Sequence, residues 1–558
     1  MTVKKKDDNL PDYAMVERQT LTRGVGYGEE ALARPQIGVV SSWGEVNPAS
    51  IHLDRVAGSV KAGIWAAGGT PREFVISSIC TSMAGHDNYH LPHRDLVAGY
   101  IETVAMTNLF DAMVFVPVCD DVIPAHLMAA ARLDLPSVVV TGGYMQLNTY
   151  QGQAVDPLGV APKHFADYKA GRITDRTFQD IQERGCPGFG ACPVMGTANT
   201  MACLSEALGM SLPWNATTPG ADSRLMRMAF QAGQQVVDLF QKEIKPSDIM
   251  TMDAFRNAIA VLMAVGGSTN GVLHLQAVAA ELEMDIPLET FNEMSKMTPL
   301  LCDIAPSGSG QNLIKDFDEA GGLPAAMKAM QKCLTPDVIT VTGRPLSEIL
   351  EGAALPDGKV IHPLENPLSS EGGLIFLKGN LAPGGALIKK SAVPAAMHQH
   401  RGPARIFPSE EAACEALEKD HLDDGDVVIV RNVGPQGDPG MLLLQRFLWQ
   451  LAAKGKSDKI AFMTDGRFSG TNKGCAVAHI APEAAAGGPL AVVQDLDIID
   501  IDIPNERLQL DISEEELKRR LANWTPPESK VKKGYLSIYA RMANTAEKGA
   551  ALNYKGDD

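Results

Sequence analysis

The sequence predicts an α/β fold in which an N-terminal doubly wound parallel-sheet domain precedes a C-terminal β-barrel-like domain. Two observations support this prediction. In the first two-thirds of the chain, short apolar runs typical of strands alternate with helical stretches, which is the pattern of a parallel sheet covered by helices on both faces. After residues 355–373, which are rich in Pro, Gly and Ser, strand-like runs dominate, and this favours a separate β-rich domain.

Four apolar runs predict the strands of the N-terminal sheet. They are RPQIGVVSS (34–42), REFVISSIC (72–80), DAMVFVPVCD (111–120) and LPSVVVTGG (135–143). Nearly unbroken apolarity is typical of strands that are buried on both faces. Ligands of such sheets bind at the carboxyl ends of the strands, and Cys80, Cys119 and the pair Gly142-Gly143 lie at these ends.

The domain boundary follows from a change of pattern along the chain. From residue 195 to about 345 the pattern is mainly helical, whereas GLIFLKGN, GDVVIVRN and KIAFMTDG indicate strands further on. The Pro-, Gly- and Ser-rich segment between them is typical of a linker. We therefore predict an N-terminal domain over 1–365 and a C-terminal domain over 366–558.

Composition and charge exclude several classes of function. The chain has 558 residues and a net charge of −17 without any long basic block, which argues against a nucleic-acid surface. It contains no run of about 18 uncharged apolar residues that would span a membrane, and its first residues lack the apolar core of a signal peptide. Nine cysteines spread along so long a chain fit a reducing compartment. We expect a cytoplasmic enzyme that binds neither nucleic acid nor membrane.

Two cysteine-containing stretches are candidates for chemistry. VFVPVCDDVIPAHLMAA (114–130) places Cys119, Asp120 and Asp121 where an apolar strand meets a helix. A buried cysteine beside the acidic start of a helix would also explain this stretch. RGCPGFGACPVMGTANTM (184–201) surrounds Cys192 with turn-forming residues, and its C-x5-C spacing is not that of a zinc site. Iron–sulfur clusters accept thiolates from separate loops, so a cluster at Cys119 and Cys192 is the alternative.

A series of motifs then carries a family resemblance over essentially the whole chain. In order, the motifs are GACPVMGTANTM, VGGSTNGVLHL, LKGNLAPGGALIKKSAV, GPARIF, TDGRFSGT, APEAAAGGPLAVV and GYLSIYARMANTAEKGA. Together they resemble the dihydroxy-acid dehydratase / phosphogluconate dehydratase family. The resemblance implies an N-terminal domain with the metal loops, a barrel domain with the catalytic serine, and a homodimer or dimer of dimers. It also implies dehydration of a small 2,3-dihydroxy acid, either a branched-chain acid or a sugar acid, to a 2-keto acid.

The resemblance also assigns roles to individual residues. It implies that Cys119 and Cys192 bind an iron–sulfur cluster, expected as 2Fe–2S rather than 4Fe–4S, and that Asp120 binds Mg²⁺. Ser469 matches the catalytic base, with Thr471 beside it as a second catalytic residue. Iron with an open coordination position would act as a Lewis acid on the leaving hydroxyl. A serine can remove the weakly acidic α-proton only as an alkoxide, which nearby cations or N–H dipoles must stabilise.

Three positions depart from the family pattern. Ala49 stands where the family has a cluster cysteine, Asp121 replaces a lysine whose carbamate binds Mg²⁺, and Leu443 replaces an acidic residue. A methyl group cannot bind iron, and an aspartate is shorter than a carbamylated lysine. The Mg²⁺ site that the resemblance implies is therefore weakened.

Two explanations of these departures stay open. In the first, the site is rebuilt, with Cys80 as the third thiolate and Asp121 as a replacement negative charge near Mg²⁺. The nearby histidines are candidates for a further ligand: His86, His90 and His93. In the second, the cluster, Mg²⁺ or both are lost, and the chain is a divergent member with altered or absent dehydratase activity.

Overall fold

The computed structural model describes residues 6, 10–80, 83, 88–157, 160–470 and 473–554. Thr471 and His86 lie outside the described residues. In the described parts of the chain, no helix is both long enough and apolar enough to cross a bilayer.

Within these ranges, four parallel strands form the N-terminal sheet, in the order β2-β1-β3-β4. Their bounds are β1 Gln36–Ser41, β2 Thr70–Val75, β3 Ala112–Val116 and β4 Ser137–Val139. The chain passes from β1 to β2 in one direction and then back past β1 to β3 and β4 in the other. Because such crossovers are right-handed, the connecting helices lie on opposite faces of the sheet. The doubly wound sheet is therefore confirmed.

The helices of this part surround the sheet and extend into a mainly helical region. Their bounds are Asp12–Gly24, Glu29–Ala33, Leu53–Ala66, His90–Asn108, Val122–Leu133, Ala166–Lys169, Asp175–Gly185, Thr197–Ala207, Ser223–Lys242, Pro246–Ile249, Met252–Ala264, Asn270–Glu281, Leu288–Met297, Ile314–Glu319, Gly322–Ala329 and Leu346–Glu351. A short hairpin of β5 Asn148–Tyr150 and β6 Gln153–Val155 lies between them. Helices Leu53–Ala66 and Ser223–Lys242 cross so closely that a Cβ on Gly63 would lie 2.0 Å from the Phe230 carbonyl oxygen.

In the C-terminal part, the described residues form an eight-stranded mixed sheet in the order β16-β15-β9-β10-β12-β14-β8-β7. The strands from this sheet, together with the small parallel pair β11 and β13, have these bounds: β7 Ile375–Leu377, β8 Gly385–Ile388, β9 Gln399–Phe407, β10 Val427–Val430, β11 Leu443–Leu444, β12 Ala461–Thr464, β13 Arg467–Phe468, β14 Ala476–Ala481, β15 Ile498–Asp502 and β16 Arg507–Leu510. Four helices accompany them: Glu410–Glu418, Arg446–Ala453, Glu514–Ala522 and Tyr535–Met542.

The two edges of this sheet meet, so that it forms a barrel. The Lys378 amide donates to the Glu506 carbonyl at 2.9 Å, and the Leu508 amide donates to the Lys378 carbonyl at 2.9 Å. These bonds join the end of β7 to β16 across the gap. The β-barrel-like domain is therefore confirmed, whereas the boundary at residues 365 and 366 stays a prediction.

The end of the chain ties the barrel to the N-terminal part. Arg94 and Asp95, both fully or almost fully buried, form an ion pair on helix His90–Asn108. The Arg94 guanidinium donates to the Ala550 carbonyl at 3.1 Å, and the Asp95 carboxylate accepts from the Leu552 amide at 2.8 Å. Charged hydrogen bonds of this kind are strong when buried, so the two parts meet at a fixed interface.

Candidate active site

A cavity between the two parts collects most of the residues that the sequence predicts for the site. Cys80, Cys119, Cys192 and Asp120 line it from the N-terminal part, and Ser469 lines it from the C-terminal part. The cavity offers about 80 Å³ to the centres of water molecules, whereas one water needs about 10–15 Å³. It is therefore large enough for a small ligand.

The Cys119 thiol stands at the carboxyl end of β3, at the position predicted from the sequence. Its backbone has a φ of 81°, a conformation that costs a non-glycine residue about 1–3 kcal/mol and is concentrated at functional sites. Burial raises the pKa of the Cys119 thiol well above its ordinary value, and the charges of Asp120, Cys80 and Cys192 raise it further. The thiol stays protonated near pH 7 unless a cation stabilises the thiolate.

The Cys192 thiol reaches the same cavity through a tightly packed loop beyond β4. The Ala191 amide donates to the Gly143 carbonyl at 2.8 Å, and the Met145 amide donates to the Ala191 carbonyl at 2.8 Å. Gly190 has a φ of 106°, and a Cβ there would lie 2.5 Å from the Tyr144 carbonyl carbon. Only glycine fits this approach. Burial raises the pKa of the Cys192 thiol as well, and the charges of Asp120 and Cys80 raise it further.

The Cys80 loop lies against the turn that carries Ala49. The Asn47 amide group donates to Ser78 Oγ at 3.1 Å and to the Ile79 carbonyl at 3.4 Å. Ser78 Oγ in turn donates to Ser50 Oγ at 3.2 Å. Hydrogen bonds therefore join the turn at Ala49, where the family pattern has a cysteine, to the loop that carries Cys80.

The three thiols are side chains of the type that binds an iron–sulfur cluster. Among the residues that the structure describes, no three His, Cys, Asp or Glu side chains already form a group that could hold one metal ion. A cluster distributes its thiolates over more than one iron and accepts them from separate loops. Cys80, Cys119 and Cys192 lie on three loops around one cavity. The charges of Cys80 and Cys192 act on the Cys119 thiol, and the charge of Cys80 acts on the Cys192 thiol.

The two aspartates next to Cys119 have different surroundings. Asp120 lines the cavity, whereas Asp121 is 1% exposed and does not contribute to the described lining. The Asp121 carboxylate accepts from His93 Nδ1 at 2.5 Å, and His90 Nε2 lies 3.7 Å from its other oxygen. Leu443 supplies an apolar group to the cavity wall. The donor set of the described lining therefore does not fit the Mg²⁺ site that the resemblance implies, because Asp120 is the one carboxylate among these residues.

We expect Asp121→Asn to destabilise the protein by about 3 kcal/mol, because it removes one member of a buried ion pair. Burial raises the pKa of Asp121, but the His93 and His90 charges outweigh burial and lower it from 3.8; burial lowers the pKa of His93, but Asp121 outweighs burial and raises it from 6.5. The aspartate's contribution is lost as pH falls through its lowered pKa, and the histidine's contribution is lost as pH rises through its raised pKa. The pair therefore stabilises most between pH 3.8 and 6.5.

Thermal unfolding across this range tests the expectation. The Tm gap between the wild type and Asp121→Asn should be largest near about pH 6 and shrink at higher pH. Asp238→Asn is the control, since Asp238 is 40% exposed in its pair with Lys242 and should change stability by about 0.5 kcal/mol or less. Equal Tm losses at every pH would contradict an ionic pair at Asp121.

Ser469 is held by contacts from both parts of the protein. It follows β13, which pairs in parallel with β11 so that Arg467 lies opposite Leu443. The Asn270 amide group donates to the Phe468 carbonyl at 3.4 Å. A Cβ on Gly470 would lie 2.6 Å from Ser268 Oγ, so the chain after Ser469 packs directly on the N-terminal part.

The electrostatics of the cavity favour an anionic ligand. Thr197 and Asn270 begin the helices Thr197–Ala207 and Asn270–Glu281, and both line the cavity. Helix N-termini carry partial positive charge and bind anions. The guanidinium of Arg467, which is 2% exposed, also lines the cavity, and its Nε donates to the Met441 carbonyl at 2.7 Å. A carboxylate is the ligand group that this wall suits.

Reasoning from the sequence missed several lining residues that its own motifs contain. Arg467 lies within TDGRFSGT, and Asn270 and His274 lie within VGGSTNGVLHL. The signal was present, because polar residues inside a glycine-rich motif are candidates for ligand contact.

Burial lowers the pKa of His274 well below its ordinary value, and the Arg94 and Arg467 charges lower it further. The imidazole is therefore neutral near pH 7.

Comparison with known proteins gives matches over nearly the whole chain. The family models described as "Dihydroxy-acid/6-phosphogluconate dehydratase N-terminal" and "C-terminal" match residues 34–349 and 359–550. A dihydroxy-acid dehydratase from Acetivibrio thermocellus is 46% identical over 558 residues, which is 99% of each chain. Dihydroxy-acid dehydratases from Caldicellulosiruptor saccharolyticus and Methanococcus aeolicus are 46% and 41% identical and cover 96% and 98% of this chain and 97% and 99% of their own.

The fold, the cavity and these matches together define a hydro-lyase, an enzyme that removes water from its substrate. The chain belongs to the dihydroxy-acid/6-phosphogluconate dehydratase family. The prediction of a dehydratase is confirmed at this level. The roles of Cys80, Cys119, Cys192, Asp120, Asp121, Ser469 and Thr471 stay predictions.

Proposed function

We propose that the protein dehydrates a small 2,3-dihydroxy acid to a 2-keto acid, with Ser469 as the base and an iron–sulfur cluster held by Cys80, Cys119 and Cys192. One observation carries the proposal: three thiols from the N-terminal part and a serine from the C-terminal part line the same cavity. Proton removal and assistance to the leaving group are separate tasks, and this arrangement supplies groups for both.

The residues of the cavity divide the chemistry between them. Arg467 and the N-termini of two helices bind and orient the substrate carboxylate. Ser469 Oγ, as the alkoxide, removes the proton from C2 while the C3 hydroxyl leaves, and the resulting enol becomes the 2-keto acid. A bound iron–sulfur cluster would supply Lewis-acid assistance to the departing hydroxyl. The overall change releases one water per substrate.

Between the two substrate classes, the cavity wall favours a branched-chain dihydroxy acid over a sugar acid. Val194, Ala198 and Leu443 form an apolar part of the lining. Apolar surface suits an alkyl substituent, whereas the hydroxyl groups of a sugar acid would lose hydrogen bonds to water there. The three relatives reported above all carry the name dihydroxy-acid dehydratase, which agrees with this choice.

A panel of substrates tests the proposal. Anaerobically purified protein, given branched-chain dihydroxy acids and aldonic acids, should form 2-keto product from the former with the higher kcat/KM. Preference for aldonic acids would overturn the substrate class. Failure on the whole panel by folded protein would favour the second candidate, a divergent member with altered or lost activity, which the changes at Ala49, Asp121 and Leu443 support.

We expect Mg²⁺ to bind weakly, because Asp120 is the one carboxylate on the described lining and Leu443 offers no oxygen ligand to the cavity. Mg²⁺ is bound through one or two carboxylates together with substrate oxygens and water, so one carboxylate without substrate is the weaker arrangement. Calorimetry without substrate should show no tight stoichiometric binding, and added Mg²⁺ should leave turnover unchanged. Leu443→Glu should raise the affinity. Tight binding of one Mg²⁺ by the wild type would contradict this expectation.

The homodimer or dimer of dimers and the cytoplasmic location stay predictions. Light scattering on purified protein tests the first, and cell fractionation tests the second.

A further inference from the structure

Lys389 is a buried lysine without a partner of opposite charge among the described residues. The residue is 7% exposed, and its Nζ donates to the Gly470 carbonyl at 3.2 Å. Burial lowers the pKa of Lys389 to about 7, and the charge of Lys473, an exposed residue, contributes in the same direction. Burying an ammonium group without a counter-charge is costly. Groups perturbed in this way are concentrated at functional sites.

The neighbouring lysine shows the ordinary arrangement. Lys390 forms an ion pair with Glu371, and its side chain is 20% exposed. Two adjacent lysines therefore have opposite surroundings, because the chain leaves β8 at this point and turns one side chain inward. Lys390 already supplies a positive charge in this part of the chain. A need for charge alone therefore does not explain why Lys389 is buried.

The inward side chain reaches the segment that carries Ser469. Ile388, the last residue of β8, lies opposite Val477 on β14. The Gly474 amide donates to the Ala392 carbonyl at 3.0 Å. Residues 388–392 therefore contact the chain beyond Ser469 at Gly474 and Val477. The Lys389 side chain contacts it closer to the serine, at Gly470.

The Gly470 carbonyl belongs to the residue directly after Ser469. On its other side this segment packs on Ser268, and the Phe468 carbonyl accepts from Asn270 at 3.4 Å. The backbone on both sides of Ser469 is thus fixed, by an amide group before it and by an amine after it. A displacement of Gly470 would move the serine side chain, since one peptide group joins Gly470 to the Ser469 Cα.

We propose that Lys389 is a positioning residue, whose amine holds the Gly470 carbonyl and thereby directs Ser469 Oγ into the cavity. This inference rests on the proposed role of Ser469 as the base. A small displacement of a reacting group costs about 10²-fold in rate, so a single hydrogen bond at this carbonyl has a large effect on turnover.

Lys389→Met tests the proposal, with Lys390→Met as the matched control one residue away. In Lys389→Met, kcat should fall about 10²-fold with KM changed by about 2-fold or less, because positioning of the base affects the chemical step. Hydrogen exchange of residues 464–470 should become faster while exchange elsewhere stays the same. The Tm should not fall, because the variant removes a buried charge. Lys390→Met should match the wild type in kcat and in exchange of this segment.

Hydrogen exchange separates failure of the inference from failure of the proposed function. Unchanged exchange at residues 464–470 in Lys389→Met overturns the positioning role whether or not the protein turns over a dihydroxy acid. Faster exchange throughout the protein with a lower Tm also overturns it, because that result describes a general packing role. A wild type that turns over no substrate, with faster exchange confined to this segment in the variant, overturns the base assignment and leaves the contact itself supported.

Discussion

Ser469→Ala is expected to lower kcat by about 10²–10⁴-fold, the contribution of a well-placed general base. Ser469 is partly exposed to the cavity, and its neighbours Phe468 and Gly470 are held by backbone contacts that the serine hydroxyl does not make. Removing one hydroxyl should therefore leave the Tm unchanged. KM should change little, because the carboxylate is bound by other groups.

Ser309→Ala is the control for this prediction. Ser309 is an exposed turn residue whose Oγ accepts from the Gln311 amide at 3.2 Å. The nearby Ser307 would not serve as a control, because its side chain is fully buried and donates to the Gly266 carbonyl at 2.9 Å. Turnover of Ser469→Ala within about 10-fold of the wild type would place the base elsewhere, since a true base contributes at least about 10²-fold.

Cys80→Ala is expected to abolish turnover and release most of the bound iron. A change in the surroundings of a metal ligand already costs about 10–100-fold, and loss of the ligand itself should cost more. Cys186→Ala is the control, because the Cys186 thiol is exposed and outside the described lining of the cavity. Iron content and visible absorption of the two variants, purified anaerobically, give the comparison.

A second variant tests whether Cys80 has taken over the role of the missing cysteine. The turn with Ala49 is bonded to the Cys80 loop through Asn47, Ser50 and Ser78. A cysteine introduced at position 49 should therefore reach the same cluster. We expect Ala49→Cys to restore iron binding in Cys80→Ala. Full iron content in Cys80→Ala alone would show that this thiol is not a ligand.

The sequence was sufficient for the sheet and for the ends of its strands. Continuous apolar runs predicted β1 and β3, which are buried along their whole length. Because parallel strands share one carboxyl edge, the same pattern placed Cys80 and Cys119 near each other. The family motifs then brought Ser469 to this edge from a distant part of the chain, a contact that local pattern cannot supply.

The sequence was insufficient where side-chain direction decides the chemistry. Asp120 and Asp121 are adjacent acids, yet one faces the cavity and the other faces His93. Lys389 and Lys390 are adjacent as well, yet the first bonds to the buried Gly470 carbonyl and the second pairs with Glu371. In both pairs the direction depends on the backbone at the junction of two elements, where no period of two or of 3.6 residues applies.

Iron and acid-labile sulfide in anaerobically purified wild-type protein test the central claim, a cluster held by Cys80, Cys119 and Cys192, most directly. We expect a brown protein with about two iron and two sulfide per chain, as a 2Fe–2S cluster requires, and parallel loss of colour and dehydratase activity on exposure to a chelator. A colourless protein that takes up no iron after anaerobic reconstitution, with its fold intact, would contradict the claim.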